Sequence, residues 1–321
     1  GFDEAAIADR WGVPTLVDVT ENGLSEAPPI ILVPHETQTS IASNVQQTAS
    51  YTATAAFPED AAANVDAYQL ERDGVVIDTL RLYRPLDWSP DDPMPLLLFV
   101  YPSAVDNWES VSVAYASEGY GVVAISPIGE WGIDIDEHAH DALLALHLAR
   151  AGELGQQFSD DPVVALGGSF SSAILNRLLR DSRDEIGAWV TVGGIGDAFD
   201  GAHDFYTGAI QFPEHYQLVV PAMGNPQLYP LTLLRFSPVY AAAQLPSTLI
   251  IHTESDTVIP IGQAEELAEV AEAAGVPVET YFYDDVSHYL EIDENMTDEA
   301  KAMFYHIADF IEYFMSTPSS P

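Results

Sequence analysis

From residue 95 onward the chain alternates between short, unbroken apolar runs and longer stretches with helical spacing, and this alternation admits very few folds. The runs are Pro95–Tyr101, Gly121–Ile125, Pro162–Leu166, Ile186–Val192, Ser247–His252 and Val276–Tyr283. They are short for helices and lack polar alternation, which marks strands buried on both faces. Between them, residues 106–118, Asp136–Ala151, 171–181, Ile261–Ala274 and 297–315 read as helices, the second through Leu143, Leu144, Leu146 and Leu148. Gly275 ends the fourth. The pattern predicts an α/β fold with a mostly parallel central sheet and helices on both faces. Upstream, Val65–Arg72 and Val75–Arg84 alternate around Asp73-Gly74, a hairpin signal. Residues 1–12 predict a short amphipathic helix around Ile7 and Trp11, and residues 13–60 show no sustained period. Residues 1–61 are therefore expected to be an arm or linker and residues 62–321 the main domain. Residues 198–245, rich in proline and aromatics, are expected to be a lid-like insertion over the sheet edge.

Charge narrows the function classes. Fifty Asp and Glu face ten Lys and Arg, a net charge of −40, and Lys301 is the sole lysine. A phosphate-binding surface needs clustered basic residues, so nucleic acid and anionic membrane are poor partners. A charged fraction of 19% beside 47% hydrophobic residues excludes global disorder. No apolar run is long enough to span a bilayer. There is no cysteine, hence no disulfide, thiolate metal site or cysteine nucleophile. The acidic balance reads as adaptation to a saline environment, against the blander alternative of an ordinary, highly soluble acidic protein. The Ser/Thr-rich arm and missing initiator methionine favour export or the cell envelope over the cytoplasm.

One segment carries the chemistry. Val163-Val164-Ala165-Leu166 runs into Gly167-Gly168-Ser169-Phe170-Ser171-Ser172 and then into helical Ala173-Ile174-Leu175. This is a strand–turn–helix with Ser169 at its apex, where small neighbours are needed because the turn is strained. Ser171 stands where G-x-S-x-G has its second glycine. The bland alternative is a helix N-cap at Ser169. Two further strand ends raise the functional reading. Leu249–His252 leads into a turn carrying Asp256, and Thr280–Tyr283 leads into a loop carrying His288. Ser, Asp and His in that order, past the carboxyl ends of strands, sit where open α/β sheets place ligands. His288 would take the Ser169 proton, and Asp256 would orient the imidazole.

This layout resembles the α/β-hydrolase superfamily, in particular its prolyl-oligopeptidase-like and dienelactone-hydrolase-like branches, over roughly residues 62–315. The stretch 249–260 with Gln263-Ala264-Glu265, and Ser237-Pro238-Val239-Tyr240 before it, is similar to the acid-loop region of those branches. Departures are Tyr101-Pro102-Ser103-Ala104 in place of His-Gly-Gly, and Ser171-Ser172 in place of glycine. The resemblance implies a serine hydrolase without cofactor or metal, acting on a small-molecule carboxylic ester. Its oxyanion hole would combine the backbone N–H of Phe170 with one from the loop after residue 100. Pro102 has no N–H, so Ser103 is preferred, with Ala104 second. Two other readings stand beside the esterase. One is a small serine peptidase of the prolyl-oligopeptidase type without a propeller, since the preceding 61 residues are too few for blades of about 40–45 residues. The other is a non-catalytic binding module on the same scaffold. A cutinase-like polyester hydrolase is disfavoured, because those usually carry a disulfide.

Rival residues are weaker. Asp284 and Asp285 lie close before His288, and Asp197 follows an earlier strand; Asp197 is the better alternative acid. Glu254 and His252 read as solvated or structural. Asp134–Asp141 looks metal-binding, but His138 and His140 fall on opposite sides of a helix, so no metal is expected and Asp136 reads as an N-cap. His147, among leucines, reads as core, while His35, His203, His215 and His306 show no partner pattern. Tyr101, Trp108 and Trp131 are the candidate substrate pocket, with Phe170, Phe205, Tyr206, Phe212, Tyr216 and Tyr229 as weaker additions.

Overall fold

Leu96–Val100 is buried at every position. A strand whose two faces are both apolar belongs in the middle of a sheet, and this one, β4, has parallel neighbours on both sides. The computed structural model describes residues 44–316 apart from 73–74, 90–92, 128–134, 183, 209–229, 285, 287 and 289–291. The helix expected over 1–12 lies outside the described residues.

Nine strands are described: β1 (Asn44–Thr54), β2 (Ala62–Arg72), β3 (Val75–Pro85), β4, β5 (Gly121–Pro127), β6 (Val163–Gly168), β7 (Ile186–Val192), β8 (Ser247–Thr253) and β9 (Val278–Tyr283). They form one sheet in the order β1-β2-β3-β5-β4-β6-β7-β8-β9. The first three strands are antiparallel to their neighbours, and β5 through β9 are parallel. Arg72 pairs with Val75 across the expected hairpin. The α-helices among the described residues are α1 (Glu109–Ser117), α2 (Ile135–Arg150), α3 (Phe170–Asp181), α4 (Ala198–Thr207), α5 (Pro230–Phe236), α6 (Gly262–Ala273) and α7 (Asp298–Ser316).

Alternation along β4 divides the core. Leu96, Leu98 and Val100 join one apolar layer with Leu146 of α2, Ile174 and Leu178 of α3, and Leu267 of α6. Leu97 and Phe99 join the other, with Val113 and Tyr115 of α1 and Phe304 and Ile307 of α7. The sheet is thus covered on both faces, as the sequence predicts.

Three expectations are revised. Part of the predicted arm, Asn44–Thr54, is β1 and pairs with β2 along its length. As an edge strand, exposed except at Val45 and Ala53 over residues 45–54, it carries no apolar alternation to read. The described parts of the predicted lid at 198–245 supply Ala198, Ala202, Leu233 and Phe236 to the first core layer. They are anchored there by Asn176, which donates to the Ile195 and Phe236 carbonyls (3.0 and 2.7 Å), and by Arg180, which donates to the Leu234 and Ser237 carbonyls. His147 is exposed rather than core and pairs with Glu185 at 2.9 Å. At 100° per residue it turns away from the side where Leu146 and Leu148 are buried.

Candidate active site

Chain order reverses at β4: the next strand, β5, lies to one side and β6 to the other. Such a switch point opens a crevice at the carboxyl ends of the strands. Ser169, the residue after β6, stands on it.

Ser169 has φ 48° and ψ −128°, one of two non-glycine residues with positive φ among the described residues. Its hydroxyl makes no capping bond to α3, so the N-cap alternative fails. Its backbone N–H instead points to the end of β7, at 3.2 Å from the carbonyls of both Val192 and Gly193. Such a conformation costs about 1–3 kcal/mol and persists only where its surroundings impose it. The surroundings are side-chain hydroxyls. Ser171 Oγ accepts from the Gly168 N–H (3.1 Å) and donates to the Gly168 carbonyl (2.8 Å), and Ser172 Oγ donates to the Ser169 carbonyl and accepts from the Ile195 N–H. Ser171 therefore replaces the missing glycine with hydrogen bonds.

The residue that must be glycine is Gly168, where a Cβ would lie 2.1 Å from the Val192 carbonyl oxygen. Gly168→Ala is expected to force β6 and β7 apart, lowering stability by about 2–4 kcal/mol. Urea unfolding checks this; a loss below about 0.5 kcal/mol, the range of an ordinary surface substitution, would contradict it.

Asp256 and His288 are brought together. The Asp256 side chain is fully buried, and its Oδ2 accepts from His288 Nδ1. Its Oδ1 accepts from the backbone N–H groups of Val258 (2.7 Å) and Ile259 (2.9 Å). A carboxylate partner requires Nδ1 to carry the hydrogen, leaving Nε2 as the basic nitrogen. Burial by itself would raise the Asp256 pKa, but the hydrogen bonds from His252, His288 and Ile259 outweigh it and hold the carboxyl well below the usual range. His252, expected to be solvated or structural, is buried; its Nε2 lies 3.4 Å from Asp256 Oδ2 and 2.8 Å from the Ile259 carbonyl.

Gly193 links this pair to the serine. Its carbonyl accepts from the Ser169 N–H, and at φ 55° its Cα leaves the space that His288 fills. A Cβ there would lie 2.5 Å from the His288 carbonyl oxygen and 3.0 Å from Nδ1. Sequence reasoning missed Gly193, whose one visible signal was a glycine just past β7; His252 takes the structural one of its two expected roles.

Beside the turn, Tyr101 and Trp108 stack at 5.3 Å between centroids and line a small apolar pocket with Pro102, Val111, Leu166, Gly168 and Val192. The Tyr101 hydroxyl bonds Ser112 at 2.8 Å, and burial pushes its pKa far up, so it stays neutral. Ser103 Oγ accepts from Trp108 Nε1 (3.0 Å) and Asn107 Nδ2 (3.3 Å), which fixes the loop after β4. The Tyr101 N–H is committed to the Ile125 carbonyl, so the next backbone donor past Pro102 is Ser103. Phe170 opens α3, where N–H groups lack intrahelical acceptors. Phe205 and Tyr206 pack against each other on α4, outside this pocket. Trp131, Phe212, Tyr216 and Tyr229 lie outside the described residues.

The rival acids have other work. Asp197 caps α4 through the Phe199 and Asp200 N–H groups and accepts from Tyr240 Oη at 2.6 Å. Asp284 lies beside exposed Glu254, and this neighbour raises the Glu254 pKa. Asp285 and Asp134 lie outside the described residues, as do His35 and His215. His203 lies on α4, and His306 Nδ1 is 2.6 Å from Tyr283 Oη. Asp136 sits inside the first turn of α2 instead of capping it, held by Arg177 and Arg235 at 2.6 and 2.8 Å. Among the described residues one group could hold a metal ion: Asp78, His138 and Asp141, a set the sequence reading did not assemble. No helix among the described residues is long and apolar enough to cross a membrane.

No protein-family model and no curated protein matches the chain. Solved structures do. An acylaminoacyl peptidase from Pyrococcus horikoshii aligns with a TM-score of 0.59 at 16% identity, covering 83% of this chain and 47% of that one. A puromycin-hydrolyzing peptidase from Mycobacterium tuberculosis aligns at 0.59 and 15%, covering 85% and 46%. A protein described as a putative dipeptidyl aminopeptidase IV from Bacteroides ovatus aligns at 0.59 and 15%, covering 80% and 36%. The chain spans about half or less of the length of these proteins. The shared architecture is the α/β-hydrolase fold.

Proposed function

We propose that this chain is a serine hydrolase that cleaves carboxylic esters through an acyl-enzyme. One observation carries the reading: the strained Ser169 and the Asp256-bound imidazole of His288 both rest on Gly193. Strain of this kind at a strand–helix turn lifts a hydroxyl out of local hydrogen bonding, and an imidazole fixed through Nδ1 has one basic nitrogen to offer.

The steps follow from these groups. His288 Nε2 removes the Ser169 proton as the oxygen attacks the acyl carbon. Asp256 remains ionised and stabilises the imidazolium. The carbonyl oxygen becomes an oxyanion, stabilised by the Phe170 N–H at the start of α3 and the Ser103 N–H of the β4 loop. His288 then protonates the leaving alkoxide, and water, deprotonated by the same imidazole, releases the acid. The Tyr101–Trp108 pocket takes a small apolar portion of the substrate.

A second reading, amide cleavage, has specific support: the structural neighbours named above are peptidases. The same groups serve it, with His288 protonating an amine. A fluorophosphonate probe, p-nitrophenyl esters and aminoacyl-p-nitroanilides test these readings together. The expected result is labelling of the wild type but not of Ser169→Ala, with ester turnover exceeding anilide turnover. Anilide turnover rivalling ester turnover would favour the peptidase. Equal labelling of both proteins would overturn the assignment, and folded protein with no turnover would support a binding module.

A further inference from the structure

We propose that Asp78, His138 and Asp141 form a divalent-metal site suited to a first-row ion such as zinc or manganese. His138 and Asp141 lie three positions apart on α2 and so share one face of that helix. Asp78 comes from β3, where it pairs with Pro127 at the carboxyl end of β5. The helix that follows β5 is α2, so the strand pairing itself delivers Asp78 to the first turns of that helix.

One donor atom from each residue lies within 4.8 Å of the other two, and His138 Nδ1 is 2.9 Å from Asp78 Oδ1. Zinc bonds of about 2.0–2.2 Å set donors roughly 3.3–3.6 Å apart, so His138 Nδ1 and Asp78 Oδ1 need to part by about half an ångström, and any pair near the 4.8 Å limit to draw in by about one. Asp78 and Asp141 are each 1% exposed. Their flanking residues Leu80, Ile135, Ala139 and Ala142 all belong to the first core layer.

The chemistry of the trio suits a cation. Two carboxylates bring two negative charges, and even a protonated imidazole returns only one. Buried charges are held by pairing or by metal coordination, because desolvation otherwise costs several kcal/mol per ion. A divalent ion with neutral His138 balances the two carboxylates. One imidazole nitrogen favours zinc over the all-oxygen sites of calcium and magnesium, and two carboxylates keep manganese within reach. With three protein ligands, a fourth position remains for water.

The site shares the sheet rim with Ser169 but sits about three strand spacings, roughly 14 Å, across it. Its role is to pin α2 to the β3–β5 corner, and it contains none of the residues proposed for hydrolysis. It stands or falls independently of that function.

The test uses the whole chain, stripped with a chelator and kept in about 1 M NaCl to screen its acidic surface. Co²⁺ is added first, then Zn²⁺. One equivalent of Co²⁺ is expected to give visible d–d absorption that Zn²⁺ abolishes, and Zn²⁺ is expected to raise Tm by several degrees. Asp141→Asn and His138→Gln are expected to lose both responses. Absence of the Co²⁺ absorption in the wild type would overturn the site, whatever the variants do. So would binding that fails to saturate at one equivalent, or an equal Tm rise in wild type and folded variants, because ions would then only be screening the acidic surface.

Discussion

Ser169→Ala is expected to lower kcat on a p-nitrophenyl ester by about 10⁵- to 10⁶-fold, the scale seen when a serine nucleophile is removed. Residual turnover above the uncatalysed rate is expected to remain, because backbone donors at the start of α3 and the β4 loop would still stabilise an oxyanion. A companion variant separates chemistry from folding. Ser169→Gly should be as inactive, yet more stable than the alanine variant by about 1 kcal/mol, since glycine accepts positive φ without steric penalty. Steady-state kinetics and urea unfolding of both variants check the pair. A Ser169→Ala enzyme within about tenfold of wild type, little more than 1.4 kcal/mol of barrier, would remove the serine from the mechanism. Equal stability of the two variants would show that the turn is not strained.

Asp256→Asn is expected to reduce kcat by about 10⁴-fold, because an amide facing His288 Nδ1 no longer enforces the tautomer that leaves Nε2 basic. Asp197→Asn serves as the contrast. Its carboxylate caps α4 and accepts from Tyr240; asparagine caps as well as aspartate and loses the charge-assisted bond from Tyr240, so turnover should stay near wild type while stability falls by no more than about 1 kcal/mol. A larger catalytic loss at 197 than at 256 would exchange their roles. Asp256 also ties stability to pH. The Asp256 carboxyl holds its proton less tightly folded than unfolded. Its contribution to stability is therefore complete above about pH 4, the unfolded carboxylate value, and is lost as pH falls below that toward the folded one. Asp256→Asn should flatten the acid side of the stability–pH curve, which thermal melts between about pH 3 and 7 would record.

What could be read from the sequence follows from how each element is buried. β4, β6, β7 and β8 are buried on both faces, so their runs were unmistakable, and the ends of β6 and β8 marked where Ser169 and Asp256 stand; His288 follows β9, a run exposed along much of its length. β1 was not legible, because an edge strand exposed along most of its length needs no apolar pattern. His252 looked incidental: the loop after β8 curls back so that Asp256 returns to it, a curl held by Asp256 Oδ1 on the Val258 and Ile259 N–H groups, and backbone donors leave no mark in the sequence. The metal trio was half visible. His138 and Asp141 share a helix face on spacing alone, whereas Asp78 joins them only through the β3–β5 register, which composition does not encode. His147 misled in the opposite direction, since leucine neighbours on a helix face more than one way.

The hydroxyl stitching at Ser171 and Ser172 shifts where this architecture tolerates variation. In a G-x-S-x-G turn the last glycine is the fixed letter. Here that position carries a side chain that supplies two hydrogen bonds, while Gly168, a nominally free letter, has a carbonyl of β7 where its Cβ would be. A search keyed to the familiar five-letter pattern would pass over this chain and its descendants. One keyed to a serine forced into positive φ by the neighbouring strand would retrieve them.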